Sequence, residues 1–216
     1  MLALAGWLPV WDLERRRIDL EQVIAWTRAR LAEHGISAPL DELRVSSQTA
    51  RALARDLTRA SLDPDLRRAL HSALREMLPE LPWQHVLVQT YTHFRILCPD
   101  DRTSPVPSHC DHGFGHALDE RNLWLALTDA RGSAALHMID LETSLSRLIA
   151  AGTTDGVIDE PALAPVEVER GEALLFTPLH LHAARAPETH SRVSIDIRIV
   201  PAHTNARGPS FTRLWA

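Results

Sequence analysis

The chain has 216 residues, 45% of them hydrophobic and 24% charged, which is typical of a globular domain and argues against disorder. The formal net charge is -5 and the basic residues are scattered arginines, so nucleic acid is an unexpected partner. The apolar runs are too short to span a bilayer, a basic signal-peptide region is missing, and two cysteines cannot form a disulfide framework. We therefore expect a cytoplasmic protein with no membrane contact and with reduced thiols.

The first part of the chain, residues 1–82, is predicted to be mostly helical. Apolar residues recur there at helical spacing, and capping residues precede three such runs. The predicted helix starts are Asp19, Ser46 or Ser47, and Asp63 followed by Pro64. Gly35 is expected to end the first helix and Pro79 the third.

After Pro82 the pattern changes from helical to alternating. His85 to Cys98 is rich in β-branched and aromatic residues and is predicted to form one strand. Further strands are predicted at residues 122–128, 134–139, 166–169, 172–177 and 192–200. Residues 141–150 form an insertion with helical character, and residues 152–165 a loop beside it.

Helices followed by short strands without crossover helices predict an α+β, mainly β fold. The expected architecture is an antiparallel sandwich or barrel buttressed by the N-terminal helices. We find no repeat or linker, so residues 1–216 are predicted to be a single domain. Residues 1–82 would support a β core at 83–201, and residues 202–216 would form a tail.

His109 and Asp111 lie in a segment crowded with metal-capable side chains. Because side chains alternate along a strand, a His-x-Asp pair at a strand end puts imidazole and carboxylate on one side. A distant histidine would complete a facial set that leaves positions open, as in non-haem iron(II) sites. That histidine is expected after the strand that follows Gly171, where both His180 and His182 could face the metal.

The last predicted strand carries charged residues on one face. Alternation puts Arg192, Ser194, Asp196 and Arg198 together. Arginines on the inner wall of a barrel would be costly without an anionic partner, and a guanidinium matches a dicarboxylate through bidentate hydrogen bonds. The alternatives are an ion pair of Arg192 with Asp196 or with a surface acid, and a structural ion pair for Arg198.

These motifs resemble the iron(II)/2-oxoglutarate-dependent dioxygenase superfamily, in its phytanoyl-CoA hydroxylase-like branch. The features that carry the resemblance are His109-x-Asp111, the strand from Gly171 to Phe176, His182, and Arg192 ten residues later. Residues 108–138 and 192–201 are also similar to small oxygenases of aminoglycoside-type antibiotic biosynthesis. The resemblance covers roughly residues 86–201.

The resemblance implies a double-stranded β-helix, also called a jelly roll or cupin-like fold. It implies Fe(II) held by the His-x-Asp pair and His182, with 2-oxoglutarate as cosubstrate, Arg192 at its far carboxylate, and O2 as oxidant. His182 is preferred to His180 because residues 183–188 resemble the small-residue stretch that follows the family's ligand. The implied reaction is hydroxylation, desaturation or cyclisation of a small polar metabolite in secondary metabolism.

Further side chains are candidates for contacts in the same pocket. Gln89 and Asn122 lie on strand faces that could point inward, and we assign them to the cosubstrate. Core packing would give the same pattern for Asn122, and a half-exposed edge strand for Gln89. The substrate candidates are His112, His116, Trp124 and Arg198.

Other sites and functions stay open at this point. A zinc set of His109, His112 and His116 has helical spacing, although Gly113 and Gly115 disfavour a helix there. The chain could also be a cupin-like metalloenzyme that does not use 2-oxoglutarate, or a jelly-roll protein that only binds a small molecule. A carrier-tethered substrate would call for a basic docking patch, which the sequence does not reveal, so a free small molecule is expected.

Overall fold

Two antiparallel sheets face each other, and three helices cover the larger one. The computed structural model describes residues 13–77, 85–99, 106–155, 157–158, 162–202 and 211–215. The strands are β1 (Glu14–Arg17), β2 (His85–Gln89), β3 (His93–Leu97), β4 (Val106–His109), β5 (Arg121–Ala126), β6 (Leu136–Met138), β7 (Ala164–Val166), β8 (Glu172–Phe176), β9 (His182–Ala184), β10 (Arg192–Pro201) and β11 (Phe211–Trp215). The α-helices are α1 (Glu21–Ala32), α2 (Ser47–Arg59), α3 (Pro64–Met77) and α4 (Leu141–Ala151).

The strand order is that of a jelly roll. The larger sheet runs β1-β8-β5-β10-β2-β11, and β3 also pairs with β10. The smaller sheet runs β4-β9-β6-β7. All the pairings between these strands are antiparallel, and few strands that pair are neighbours in the sequence. The predicted fold class, a β core supported by helices, is therefore confirmed.

Helices α2 and α3 begin where their predicted capping residues place them, whereas the N-cap of α1 is Leu20 and not the predicted Asp19. The Ser46 hydroxyl accepts a hydrogen bond from the Thr49 amide at the start of α2. Asp63 accepts from two amides of the first turn of α3, which has proline at its first position. Asp140 caps α4 in the same way, and Gly152 ends that helix at a φ of 69°.

The main hydrophobic core lies between the larger sheet and the first three helices. Strand β10 shows how the chain divides its residues between this core and the space between the sheets. Its odd-numbered residues are buried against the helices: Val193, Ile195, Ile197 and Ile199. Burial of one such side chain stabilises the fold by about 1.5–3 kcal/mol. The even-numbered residues, including both arginines, therefore face the opposite sheet.

The segment from His85 to Cys98 differs from its prediction as one strand. It forms two strands, β2 and β3, which pair with β10 on the same side. Val88 pairs with Ile199 and His93 with Asp196, so five steps along this segment oppose three along β10. The two additional residues are accommodated in a bend, where the pairing with β10 is interrupted.

Other boundaries also differ. The strand predicted at 166–169 is β7 at Ala164–Val166, and Val168 makes only an isolated bridge with Ala130. Strand β1 was not predicted, and the predicted tail contains β11, which pairs with β2. Within the described ranges, we find no helix that is both long and apolar enough to cross a membrane.

Candidate metal centre

The fold brings His109, Asp111 and His182 together between the sheets. His109 ends β4, and Cys110 is extended, with φ -116° and ψ 144°, so the alternation of side chains continues to Asp111. His182 begins β9 and is the pairing partner of His109 in the smaller sheet. One ligand atom from each of the three residues lies within 4.8 Å of the other two.

Backbone hydrogen bonds fix the orientation of both imidazoles. The His109 Nδ1 lies 2.8 Å from the Pro107 carbonyl oxygen, and the His182 Nδ1 lies 2.9 Å from the His180 carbonyl oxygen. Because a carbonyl can only accept, Nδ1 is the protonated nitrogen in each ring. Each Nε2 lone pair is therefore available for a metal, and supporting hydrogen bonds of this kind are usual for metal-binding histidines.

The separations of these atoms fit a single ion. The Asp111 Oδ1 lies 3.4 Å from the His109 Nε2 and 3.9 Å from the His182 Nε2. Ligands about 2.1 Å from one ion can be at most about 4.2 Å apart, and ligands in cis positions are closer than that. Two imidazoles and one carboxylate on one side of an ion are the donor set of non-haem iron(II) centres.

The protonation states also suit metal binding. Burial lowers the pKa of His182, which favours its neutral form. Burial raises the pKa of Asp111, but the positive charge around it, including that of Arg198, outweighs this and holds it well below the usual carboxyl range. A metal requires a neutral imidazole and an ionised carboxylate.

The second oxygen of Asp111 is held by the protein. Its Oδ2 accepts hydrogen bonds from the Asn122 amide at 2.5 Å and from the Arg198 Nη2 at 2.9 Å. The Gln89 side-chain oxygen in turn accepts from the Arg198 backbone N–H at 3.1 Å. These bonds leave Oδ1 directed at the two histidines, so Asp111 is arranged to offer one oxygen to a metal.

Arg192 is a buried cation without a described carboxylate partner. Its exposed fraction is 1%, its Nη1 donates to the Ala134 carbonyl at 3.1 Å, and its guanidinium lies 5.5 Å from the centre of the Trp124 ring. Burial lowers its pKa to about 10. Among the described residues no direct ion pair of Arg192 is found, and Asp196 instead pairs with Arg95 at 2.7 Å. The charge of Asp196 still raises the pKa of Arg192, but less than burial lowers it.

A small cavity connects these groups. Its volume is about 50 Å³, and it extends from the three candidate ligands to Arg192. Its charged walls are Arg95, Arg192 and Arg198 against Asp111 and Asp196, three cations and two anions. With its candidate metal ligands at one side and a buried cation at the other, the cavity suits an anion that also binds the metal.

The other predicted site residues divide into two groups. Asn122, Trp124 and Arg198 line the cavity. Gln89, His112 and His116 are not among its lining residues. Gln89 instead contacts the β10 backbone, as described above, and the two histidines contact other groups. These three residues therefore do not line the metal cavity.

The rival metal sets are also not assembled. The His112 Nδ1 donates to the His116 carbonyl at 2.8 Å, and the His116 Nδ1 lies 2.8 Å from a carboxylate oxygen of the buried Glu120. His180 is fully buried, with its Nδ1 3.2 Å from the Thr177 hydroxyl. Within the described part of the chain, the one set of three metal-capable side chains found close together is the set with His182.

Sequence reasoning missed the Arg95–Asp196 pair on the cavity wall. The two residues are on adjacent strands, and Asp196 was considered only as a partner of Arg192. Arg95 is two residues from His93, and this spacing in the sequence predicts that both lie on the same face of the strand. The two additional residues between β2 and β3 leave the alternation unchanged, so Arg95 lies on the same face of this segment as Gln89 and His93.

Comparison with known proteins supports the fold. No protein-family model and no curated protein matches the sequence. Among solved structures, the chain is similar to the nickel complex of the non-heme monooxygenase ThoJ, at 20% identity and a TM-score of 0.59, over 93% of this chain and 78% of that one. It is similar to the epimerase SnoN in complex with Fe3+, alpha ketoglutarate and nogalamycin RO, at 13% identity and a TM-score of 0.51, over 96% and 86% of the two chains.

A third similar structure is EvdO2 from Micromonospora carbonacea var. aurantiaca, complexed with 2-oxoglutarate. Its identity is 15% and its TM-score 0.52, over 92% of this chain and 89% of that one. At these identities the similarity shows a common fold. The expected resemblance to oxygenases of antibiotic biosynthesis is confirmed in that sense.

Proposed function

We propose that this protein is a non-haem iron(II)/2-oxoglutarate-dependent oxygenase. The observation that carries the proposal is the combination of a His-Asp-His cluster with a buried arginine across one cavity. The cluster alone would suit several metalloenzymes of this fold. A buried cation without a described carboxylate partner is the feature that a dicarboxylate cosubstrate explains.

In this proposal His109, Asp111 and His182 hold the iron. When bound, iron(II) and 2-oxoglutarate would supply oxidising power from O2, with release of succinate and carbon dioxide. Arg192 would bind the carboxylate farther from the metal, and Trp124 beside it would keep its guanidinium from turning away. Asn122 and Arg198 would act through Asp111 by holding its second oxygen.

The cavity walls would exclude water and leave one direction for the substrate. Phe176 packs edge-on against the His182 ring, with centroids 5.3 Å apart, and helps to fix that ring. The proposed reaction is hydroxylation of a small metabolite in secondary metabolism, with desaturation or cyclisation as variants. Antibiotic biosynthesis is proposed because the neighbours named above include an enzyme of nogalamycin chemistry.

Cosubstrate turnover tests the proposal before any substrate is known. The wild type should release labelled carbon dioxide from 1-labelled 2-oxoglutarate slowly without substrate, and only with iron(II) and oxygen. The double variant His109→Ala with Asp111→Ala should lose this reaction and keep the wild-type circular dichroism spectrum. Turnover retained by this variant would contradict the ligand assignment. A folded wild type that binds iron without consuming 2-oxoglutarate would point to other cupin chemistry.

A further inference from the structure

A broad groove adjoins the metal cavity on the side of α2. Its volume is about 550 Å³, and it lies between α2, β3 and Val106 of β4. Among the described strands β3 pairs only with β10, so the groove follows the other edge of β3. The metal cavity, at about 50 Å³, is much the smaller of the two spaces and cannot hold a whole substrate beside the cosubstrate. The groove is therefore the space in which the rest of a substrate can lie.

Five arginines line this groove. They are Arg51, Arg55 and Arg59 of α2, with Arg95 of β3 and Arg192 of β10. Residues four apart on a helix share a face, and like charges at that spacing destabilise the helix by about 0.2–0.5 kcal/mol per pair. The arginines that look scattered in the sequence are thus brought to one surface by the fold. The expectation that the protein has no basic patch is corrected here.

The positive charge of the groove is only partly compensated. Among its described lining residues there is no aspartate or glutamate. Asp56 of α2 is engaged elsewhere, at 3.2 Å from Arg30 and 3.0 Å from His34, and Arg95 is engaged by Asp196. No ion pair of Arg55 or Arg59 is found among the described residues. These two arginines are exposed and available to an anion.

Arg192 connects the groove to the reaction centre. It lines both spaces, as do Arg95 and Val106. The exposed fraction of Arg192 is only 1%, and its Nε has no hydrogen-bond partner among the described residues. A ligand lying in the groove therefore extends from the α2 arginines to the wall of the metal cavity.

We propose that this groove binds a phosphate group of the substrate, so that the substrate is a phosphorylated small metabolite. This inference rests on the proposed function and names the substrate class of the same site. A carboxylate can be satisfied by one bidentate arginine, whereas a phosphate offers three oxygens and up to two negative charges to several guanidinium groups. Arg55 and Arg59 bind the phosphate, and the carbon skeleton reaches past Arg95 towards the metal.

The binding of inorganic pyrophosphate to the metal-free protein, measured by titration calorimetry, tests this proposal. Arg55→Gln with Arg59→Gln should weaken binding at least about 30-fold, because two charge-assisted contacts are lost. The matched control, Arg28→Gln with Arg75→Gln, removes the same charge from exposed positions on α1 and α3, and should change binding by less than about twofold.

Three results would overturn the proposal. The first is that the wild type does not bind pyrophosphate. The second is that both double variants lose the same amount of pyrophosphate affinity. The third is that succinate binds as tightly as pyrophosphate and is weakened as much by the α2 substitutions. The first would exclude a phosphate site, the second would indicate general charge attraction, and the third would indicate a carboxylate site. Because the assay contains neither iron nor 2-oxoglutarate, failure of the proposed oxygenase activity would leave its result unchanged.

Discussion

Replacing Arg192 by methionine should abolish cosubstrate binding and should not destabilise the metal-free protein. The same replacement of Arg198, six residues along the same face of β10, should destabilise it. Both residues are arginines on the cavity wall, but of the two only Arg198 forms an ion pair with a described carboxylate, Asp111 at 2.9 Å. The two variants therefore distinguish an arginine that binds a ligand from an arginine that stabilises the fold.

The magnitudes follow from the environments of the two side chains. A pKa lowered by burial from 12.5 to about 10 corresponds to roughly 3 kcal/mol opposing folding with Arg192 charged. The hydrogen bond to Ala134 offsets about 1 kcal/mol, and the contact with Trp124 about 0.5–1 kcal/mol. Arg192→Met should thus raise the free energy of unfolding by about 1 kcal/mol. Arg198→Met deprives buried Asp111 of its cation and should lower it by about 1–3 kcal/mol.

Urea unfolding followed by tryptophan fluorescence, with chelator present, measures both changes. The same Arg192→Met protein, loaded with iron(II) without oxygen, should bind 2-oxoglutarate at least about 30-fold more weakly, because a buried ion pair contributes about 2 kcal/mol or more. A loss of more than about 1 kcal/mol of stability in Arg192→Met would refute the reasoning. Equal effects of the two substitutions would refute it as well.

Three further changes test the ligand choice, a close backbone approach and a buried histidine. His182→Ala should weaken iron(II) binding by more than about 100-fold, since the loss of a mere supporting hydrogen bond costs about 10- to 100-fold, whereas His180→Ala should leave binding within about threefold; anaerobic dialysis measures both. Gly113→Ala should lower the free energy of unfolding by more than about 2 kcal/mol or prevent folding, because a Cβ there would lie 1.8 Å from the Thr154 carbonyl oxygen. Burial lowers the pKa of His137 in the folded protein. As the pH falls, His137 is therefore protonated first in the unfolded chain, which lowers the free energy of unfolding. His137→Gln should make this loss of stability between about pH 7 and 5 less steep.

Each of these changes has a result that contradicts it. Equal loss of iron in the two histidine variants would remove the preference for His182. Gly115→Ala is the control for Gly113, because its Cβ would meet open space at a φ of 89° and should cost only about 1 kcal/mol. Equal costs at the two glycines would contradict the close approach, and superimposable pH profiles would contradict the role of His137.

The sequence predicted best where local rules act alone. Ser46 and Asp63 are typical helix caps, and both accept the expected amide hydrogen bonds. The alternation of β10 correctly predicted that its arginines share the face opposite the core. His109 and Asp111 are two residues apart on an extended segment, so their common direction also follows from local geometry.

The parts that were missed depend on contacts between distant segments. The contact of Gln89 with the Arg198 backbone depends on the pairing of β2 with the last residues of β10. The pairing of Arg95 with Asp196 joins residues 101 positions apart, and no local pattern indicates it. The arginines of α2 have the spacing of an ordinary solvated helix face. Only the approach of β3 makes that face the wall of a groove.

The central claim is that one cavity holds both an iron(II) ion and 2-oxoglutarate. An anaerobic titration of the metal-free protein with iron(II) and then 2-oxoglutarate, followed by visible absorption, tests it most directly. A weak metal-to-ligand charge-transfer band should appear only when both are present, and should require a higher 2-oxoglutarate concentration in Arg192→Met. Iron binding without any such band would contradict the claim.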